Sequence, residues 1–278
     1  MISPCSTKIN LGLEIRGKRP DGYHNLTSIF FGLPFGDLLE LELSEESDLK
    51  MYGLPVSFSR EENIVWKGWQ YMQERFSLSH VIWHLYKHVP PGTGIGAGSA
   101  NLSEMILMSN KLFNLNLSSR EMMRISLKFG SDTAFFIKKG SSLVQGRGDM
   151  IKPIPNFLEG KYLVLLKPEA VSVSTAEAFS NAVKSEVEQP FEEVIANKGD
   201  GFEQLSNNFE GHFYKIYPQL ADYRKVLMDL GARYFSLSGS GSCFYAIFDK
   251  EPEEKLDETL PILWQGYLGP ISGLVGKG

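Results

Sequence analysis

Four glycines, Gly92, Gly94, Gly96 and Gly98, alternate along a stretch that ends in Ser99. Before them runs 81–89, rich in β-branched and aromatic residues; after them Leu102, Met105, Ile106, Met108 and Leu112 recur at helical spacing. Such a loop between a strand and a helix takes positive φ and brings bare backbone N–H groups up to an anion. The helix adds its N-terminal donors and the positive end of its dipole. Phosphate binding is therefore the chemistry expected here, against the plainer reading of a tight connector. No Gly-Lys-Ser/Thr closes the loop, so it is not a Walker A loop, and the glycine spacing is not that of the dinucleotide fingerprint. A second cluster, Ser238, Gly239, Ser240, Gly241 and Ser242, lies between apolar strand residues. It reads either as an ordinary turn or as a second backbone wall on the same ligand.

Two charged residues could supply the reaction. Asp132 follows Gly130 and Ser131 directly after a predicted helix. It reads as a helix cap or as a general base held by a rigid scaffold. Lys8 stands on the polar face of the first predicted strand, two residues from Asn10. A lone lysine there is ordinarily solvated; facing a carboxylate, it would keep that carboxylate ionised. Asp21 and Gly22 form a strong turn signal, and Tyr23 and His24 just after it could stack on a ligand or hydrogen-bond to it. His80, His84 and His88 are spaced by four, but in a strand an i,i+4 pair lies roughly 13 Å apart. Zn–N bonds of about 2.0 Å cannot close that gap. Trp66, Trp69 and Trp83 read as core.

The elements that must position these groups follow from hydrophobic periodicity. Ile9, Leu11, Leu13 and Ile15 alternate with polar residues over 7–16, which predicts a strand. Residues 25–33 and 36–43 read as extended, 64–76 as a helix capped by Asn63, and 81–89 as a strand stopped by Pro90 and Pro91. Helices are expected over 99–113 and 118–129, with short strands over 133–137 and 141–146. The pattern resets near Pro153 and Pro155; 161–167 is the clearest buried strand, a helix is expected over 212–230, and a strand is expected to contain 236–241. The glycine-rich end, 266–278, is expected to fray.

At 278 residues the chain suits one large domain or two medium ones. Its 42% hydrophobic and 22% charged residues argue against wholesale disorder. No apolar run approaches the roughly 18 residues that span a bilayer. With 28 basic against 33 acidic residues, net charge −5, nucleic acid is not an expected partner. Two cysteines, Cys5 and Cys243, make no disulfide framework, and the first 25 residues do not look like a targeting segment, so a cytoplasmic protein is expected.

In this order, the pieces resemble the three motifs of the GHMP kinases. The resemblance narrows to the branch that acts on 4-diphosphocytidyl-2-C-methyl-D-erythritol. It is carried by Lys8-Ile-Asn-Leu, by Arg19-Pro-Asp-Gly-Tyr-His-Asn-Leu26, by Glu62-Asn63-Ile64, by Phe129 to Phe136, and by Ser206-Asn-Asn-Phe-Glu210. It implies an α+β fold of two domains with mixed or antiparallel sheets and a site in the cleft between them. The expected domains are 1–153, binding ATP, and 154–278. It further implies Mg2+ and ATP, and phosphorylation of the tertiary 2-hydroxyl of a cytidylyl substrate in non-mevalonate isoprenoid synthesis. By position, Asp132 becomes the base and Lys8 its neighbour. Gly92, Gly94, Gly96, Gly98 and Ser99 become the phosphate cradle, with Asn63 and Lys87 near the adenine. Asn10, Tyr23, His24, Phe30, Thr175 and Phe179 become the pocket for the cytidylyl alcohol, with His24 reading the cytosine edge. No side chain is assigned to the metal. A monomer or weak homodimer is expected, with no membrane partner.

The chain also departs from the family pattern. Ala97 and Ala100 replace a Gly and a Ser of the usual loop; the first is expected to crowd the backbone near phosphate, the second to remove a hydroxyl from phosphate or metal-bound water. Asn208 stands where Asp is common, and the chain end does not match. Two alternatives stay open: a kinase of homoserine or mevalonate type, and a catalytically weak nucleotide-binding paralogue.

Overall fold

One strand of 20 residues organises the first half of the molecule. The computed structural model describes residues 1–19, 24–168, 175–182, 188–256 and 258–269. In chain order the elements begin with β1 (Ile2–Lys18), β2 (His24–Leu43), β3 (Asp48–Gly53), α1 (Ile64–Phe76) and β4 (Val81–Lys87). They continue with α2 (Ala97–Leu112), α3 (Ser119–Ser126), α4 (Thr133–Lys138), β5 (Ser141–Gly146), β6 (Met150–Pro153) and β7 (Tyr162–Leu166). Then come α5 (Thr175–Asn181), α6 (Phe191–Ala196), α7 (Glu210–Ile216), α8 (Leu220–Asp229), β8 (Tyr234–Leu237), β9 (Phe244–Phe248) and β10 (Ile262–Tyr267).

The long strand β2 pairs with β1 along most of its length, with β5 through its first half and with β4 through its second. The resulting sheet runs β3-β4-β2-β5-β6 with β1 beside β2, and only the β3–β4 pair is parallel. A second, antiparallel sheet runs β10-β7-β9-β8. Helices α1, α2 and α4 cover one face of the first sheet through Trp66, Trp69, Met105 and Phe135. Trp69 meets Trp83 edge to face, with centroids 5.7 Å apart, as a core pair should. The opposite face packs on the second sheet: Ile9, Leu11, Ile29 and Phe31 share a cluster with Leu163, Leu165, Tyr234 and Tyr245. Beyond it, Phe213, Leu220 and Leu227 close the far face of the second sheet.

The mixed and antiparallel sheets with covering helices match the expected class. Several local expectations need correction. Residues 133–137, expected as a strand, are the short helix α4. Periodicity cannot separate a buried strand from a buried helical turn; here Thr133 Oγ1 donates to Gly130 O and Phe135 packs on Phe30. The helix expected over 212–230 is two helices, α7 and α8, parted at Pro218, whose ring removes a donor and restricts Tyr217. The strand expected to contain 236–241 ends at Leu237, and the residues after it turn. Of the glycine-rich end, 266–267 belong to β10 and 268–269 follow it; 270–278 lie outside the described residues. Both cysteines are buried and free. No helix among the described residues is long and apolar enough to cross a membrane.

Candidate active site

The polar face of β1 is not solvated. Lys8 is only 2% exposed, because β1 runs through the middle of the molecule and turns this face into a cleft of about 650 Å³. The cleft also takes in the glycine-rich loop, the turn after β8, Asp132, His24 and Phe179.

The Lys8 ammonium donates to Gly94 O at 2.8 Å and to Asn10 Oδ1, and lies 3.3 Å from Asp132 Oδ2. It also sits 4.8 Å above the centre of the Phe30 ring, a favourable place for a cation. Burial pushes the Lys8 pKa down from its ordinary value of 10.5, and Asp132 pulls the other way. Asp132 precedes α4, yet its carboxylate makes no capping hydrogen bond. The capping reading of this aspartate therefore gives way: the side chain faces Lys8 and keeps 31% exposure to the cleft. Asn10 is fixed on both sides, its Nδ2 donating to Ser28 Oγ and its backbone O accepting from Tyr245 OH.

The two glycine clusters meet. Gly92, Gly94 and Gly96 have φ of 69°, 73° and 75°, a region closed to most side chains. Gly96 is the N-cap of α2, which explains why this helix starts at Ala97 rather than Ser99. Across from the loop, Ser242 N donates to Gly92 O, Cys243 N to Thr93 O and Ser238 Oγ to Gly94 O. The Ser-Gly cluster is a turn that packs against the first loop and borders the same cleft. That turn is itself held. Asn207 Nδ2 donates to Leu237 O at 2.8 Å and Gly239 O at 2.9 Å, and Glu210 accepts from Leu237 N and Ser236 Oγ. Asn208, in place of an Asp, still accepts, from Ile15 N at 2.7 Å.

Most of the residues expected at the site border one cleft: Lys8, Asn10, His24, Phe30, Asn63, Lys87, Gly92, Gly94, Gly96, Gly98, Ser99, Asp132 and Phe179. Asn63 caps α1 by accepting from Val65 N at 2.9 Å, and the Lys87 ammonium is paired with Asp37. His24 and Phe179 stack on each other, 5.1 Å between centroids and 15° between planes. Tyr23 lies outside the described residues, as does the side chain of Thr175, which opens α5. Ala97 borders the cleft as expected, but Ala100 does not. It faces the core beside Phe135, so a hydroxyl there would not reach phosphate, and that expectation is withdrawn.

Sequence reasoning missed two residues. Arg147 borders the cleft from the β5–β6 turn, brought close because Gly148 packs on Ser131. Asp37 is buried under the loop; its only signal was an acid placed just before an apolar strand run.

Two family models match this chain: the GHMP kinases N terminal domain over residues 63–140 and the GHMP kinases C terminal over 191–264. A protein of Bacteroides thetaiotaomicron named 4-diphosphocytidyl-2-C-methyl-D-erythritol kinase is 39% identical over 264 residues, 93% of this chain and 95% of that protein. A protein of the same name from Cytophaga hutchinsonii is 34% identical over 273 residues, 98% of this chain and all of that one. Among solved structures, a 4-(cytidine 5'-diphospho)-2C-methyl-D-erythritol kinase superposes with a TM-score of 0.76 at 25% identity, covering 90% of this chain and 91% of its own. A homoserine kinase from Cytophaga hutchinsonii shares the fold, with a TM-score of 0.69 at 17% identity over 90% of this chain and 85% of its own.

Proposed function

The chain belongs to the GHMP kinases, and we propose that it transfers the γ-phosphoryl group of ATP to the 2-hydroxyl of 4-diphosphocytidyl-2-C-methyl-D-erythritol. Residues 1–153 form the ATP-binding domain in this reading and 154–278 the second domain. The carrying observation is the Lys8–Asp132 pair, 3.3 Å apart, in the same cleft as two facing glycine walls. Phosphoryl transfer asks mainly for positioning and charge stabilisation, so a base, a cation and a backbone cradle suffice.

The triphosphate lies along the loop from Gly92 to Ser99, at the N-terminus of α2. The adenine lies toward Asn63, Ile64, Leu85 and Lys87. Asp132 takes the proton of the attacking hydroxyl as the new O–P bond forms and the bond to the β-phosphate oxygen breaks, releasing ADP. Lys8 orients that hydroxyl and offsets the developing charge. The cytosine stacks against the His24–Phe179 ring pair, which walls an aromatic slot in the cleft.

Mg2+ enters with the nucleotide in this reading. The donor set fits an ion carried on the phosphates, with Ser99 offering a hydroxyl beside the loop. Mg2+ ordinarily keeps several waters and takes few protein ligands alongside phosphate. When bound it supplies neutralisation of phosphate charge.

The test is ADP release from Mg-ATP with 4-diphosphocytidyl-2-C-methyl-D-erythritol, beside homoserine and mevalonate. Release with the cytidylyl alcohol alone is expected. Release with another alcohol would discard the pocket assignment, and silence with all three in protein that binds ATP would favour a regulatory paralogue. Phe179→Ala is expected to raise KM for the cytidylyl alcohol by about tenfold, the loss of one base–aromatic stack. Its KM for ATP should stay within about twofold, since the slot is apart from the loop; an equal rise in both would remove Phe179 from the slot.

Lys8 also sets a pH expectation. The reaction uses the ammonium form, and burial has moved its loss of charge below 10.5. Activity should therefore fall on an alkaline limb centred below 10.5, read from kcat against pH. Stability carries the opposite sign: the unfolded chain binds this proton more tightly, so Lys8 opposes folding at neutral pH and that cost fades as pH rises toward 10.5. An alkaline limb at or above 10.5, with the protein folded, would exclude Lys8 as its origin.

A further inference from the structure

Asp37 does not face the reacting pair, yet its buried carboxylate touches both ends of the glycine-rich loop. It stands on β2 where the ladder to β4 stops. Leu38 pairs with Tyr86, and one step further the Asp37 side chain takes over the donors that the ladder no longer uses. Its Oδ1 accepts from His88 N at 2.8 Å and Val89 N at 3.0 Å, immediately before the loop. Its Oδ2 accepts from Asn101 Nδ2 at 2.8 Å, in α2 just after the loop, and from the Lys87 ammonium. Four donors fill the lone pairs of one carboxylate.

We infer that Asp37 is a positioning residue for the nucleotide: it fixes the two ends of the phosphate loop relative to each other and to β2. This rests on the reading of residues 92–99 as the nucleotide cradle. Three glycines at positive φ leave the loop between these ends with more conformational freedom to lose than any other residue type would. A loop of that kind binds phosphate well only when its ends are already held, because ordering it is then not charged to the ligand. The anchor also has a direction. A carboxylate only accepts, so Asn101 must turn Nδ2 toward Asp37, and its Oδ1 is left buried without a hydrogen-bond partner. Asn101 therefore reads as a tie to Asp37 before anything else. Replacing the anchor loosens the cradle and leaves the cytidylyl slot, built on β2's first residue and α5, in place.

The test is Asp37→Asn, read by both KM values and by amide hydrogen exchange. The expected result is a rise of about tenfold or more in KM for ATP, with KM for the cytidylyl alcohol within about twofold. Exchange should quicken over residues 92–98 and stay unchanged in β7 and β9. Equal rises in both KM values, or unchanged ATP KM with unchanged loop exchange, would overturn the inference. Should Asp37→Asn fail to fold, Asn101→Ala cuts only the tie to the helix side and is judged on the same two readouts, with a smaller rise in ATP KM expected. Wild-type protein with ATP separates the two levels of the argument. If ATP does not slow exchange over 92–98, the cradle reading fails; if it does and the variants behave as wild type, only the role of Asp37 fails.

Discussion

Asp132→Asn is expected to lower kcat by about a thousandfold, the middle of the range for removing a general base. KM for ATP should stay within about threefold, because the amide removes proton affinity and leaves shape nearly intact. The geometry explains why the loss should fall on the chemical step. The Asp132 carboxylate does not cap α4, so the helix does not depend on it. Lys8 keeps its bonds to Gly94 O and Asn10 Oδ1 when the carboxylate becomes an amide. The two glycine walls are joined by backbone bonds that do not involve residue 132. Its charge partner Lys8 is buried, so the amide leaves that ammonium without its counter-charge, and the melting temperature should fall while the protein still folds and binds ATP. The measurement is steady-state kinetics with the cytidylyl alcohol, beside a direct ATP-binding titration. A kcat within about fivefold of wild type would remove Asp132 from the proton-transfer role.

The residues that carry this chemistry were legible in the sequence for different reasons. The alternating glycines announce a backbone conformation, since three of the four sit at positive φ where a side chain is disfavoured. Lys8 and Asn10 could be placed on one face of a strand by period alone. That this face is interior could not, because it depends on the glycine-rich loop, Asp132 and the turn after β8 all being folded over it from distant parts of the chain. The same limit hid Asp37, whose partners are backbone N–H groups and an amide brought to it only by the fold. It also produced the error at 133–137, where five apolar-rich residues satisfy a strand and a buried turn of helix equally well. The Ser-Gly cluster at 238–242 was ambiguous because a turn and a wall have the same composition. The difference lies in what faces it, and Thr93 O and Gly92 O decide that.

The meeting of those walls sets the second large effect. At Gly94 an added Cβ would lie 2.2 Å from Ser238 O, 2.8 Å from Gly241 O and 2.9 Å from Gly241 N. All three are backbone atoms, so no rotamer change relieves the contact. The φ of 73° adds a conformational cost of about 1–2 kcal/mol for any residue with a Cβ. Opening the walls enough to admit the methyl group costs about 1–3 kcal/mol more. It also carries Gly94 O away from Lys8, which leans on that oxygen at 2.8 Å. Gly94→Ala should therefore strike the proposed nucleotide cradle and the Lys8 ammonium together, with kcat/KM for ATP down by about a hundredfold or more. Gly92→Ala is the matched control: its φ is 69°, but nothing lies within 4 Å of the new Cβ. It should bear the conformational cost alone, lowering stability by about 1–2 kcal/mol with kcat/KM for ATP down less than tenfold. Melting temperatures and ATP kinetics of the two variants decide the matter. If Gly94→Ala behaves as Gly92→Ala does, the two backbone walls are not pressed together in solution, and the cradle must be built from the first loop alone.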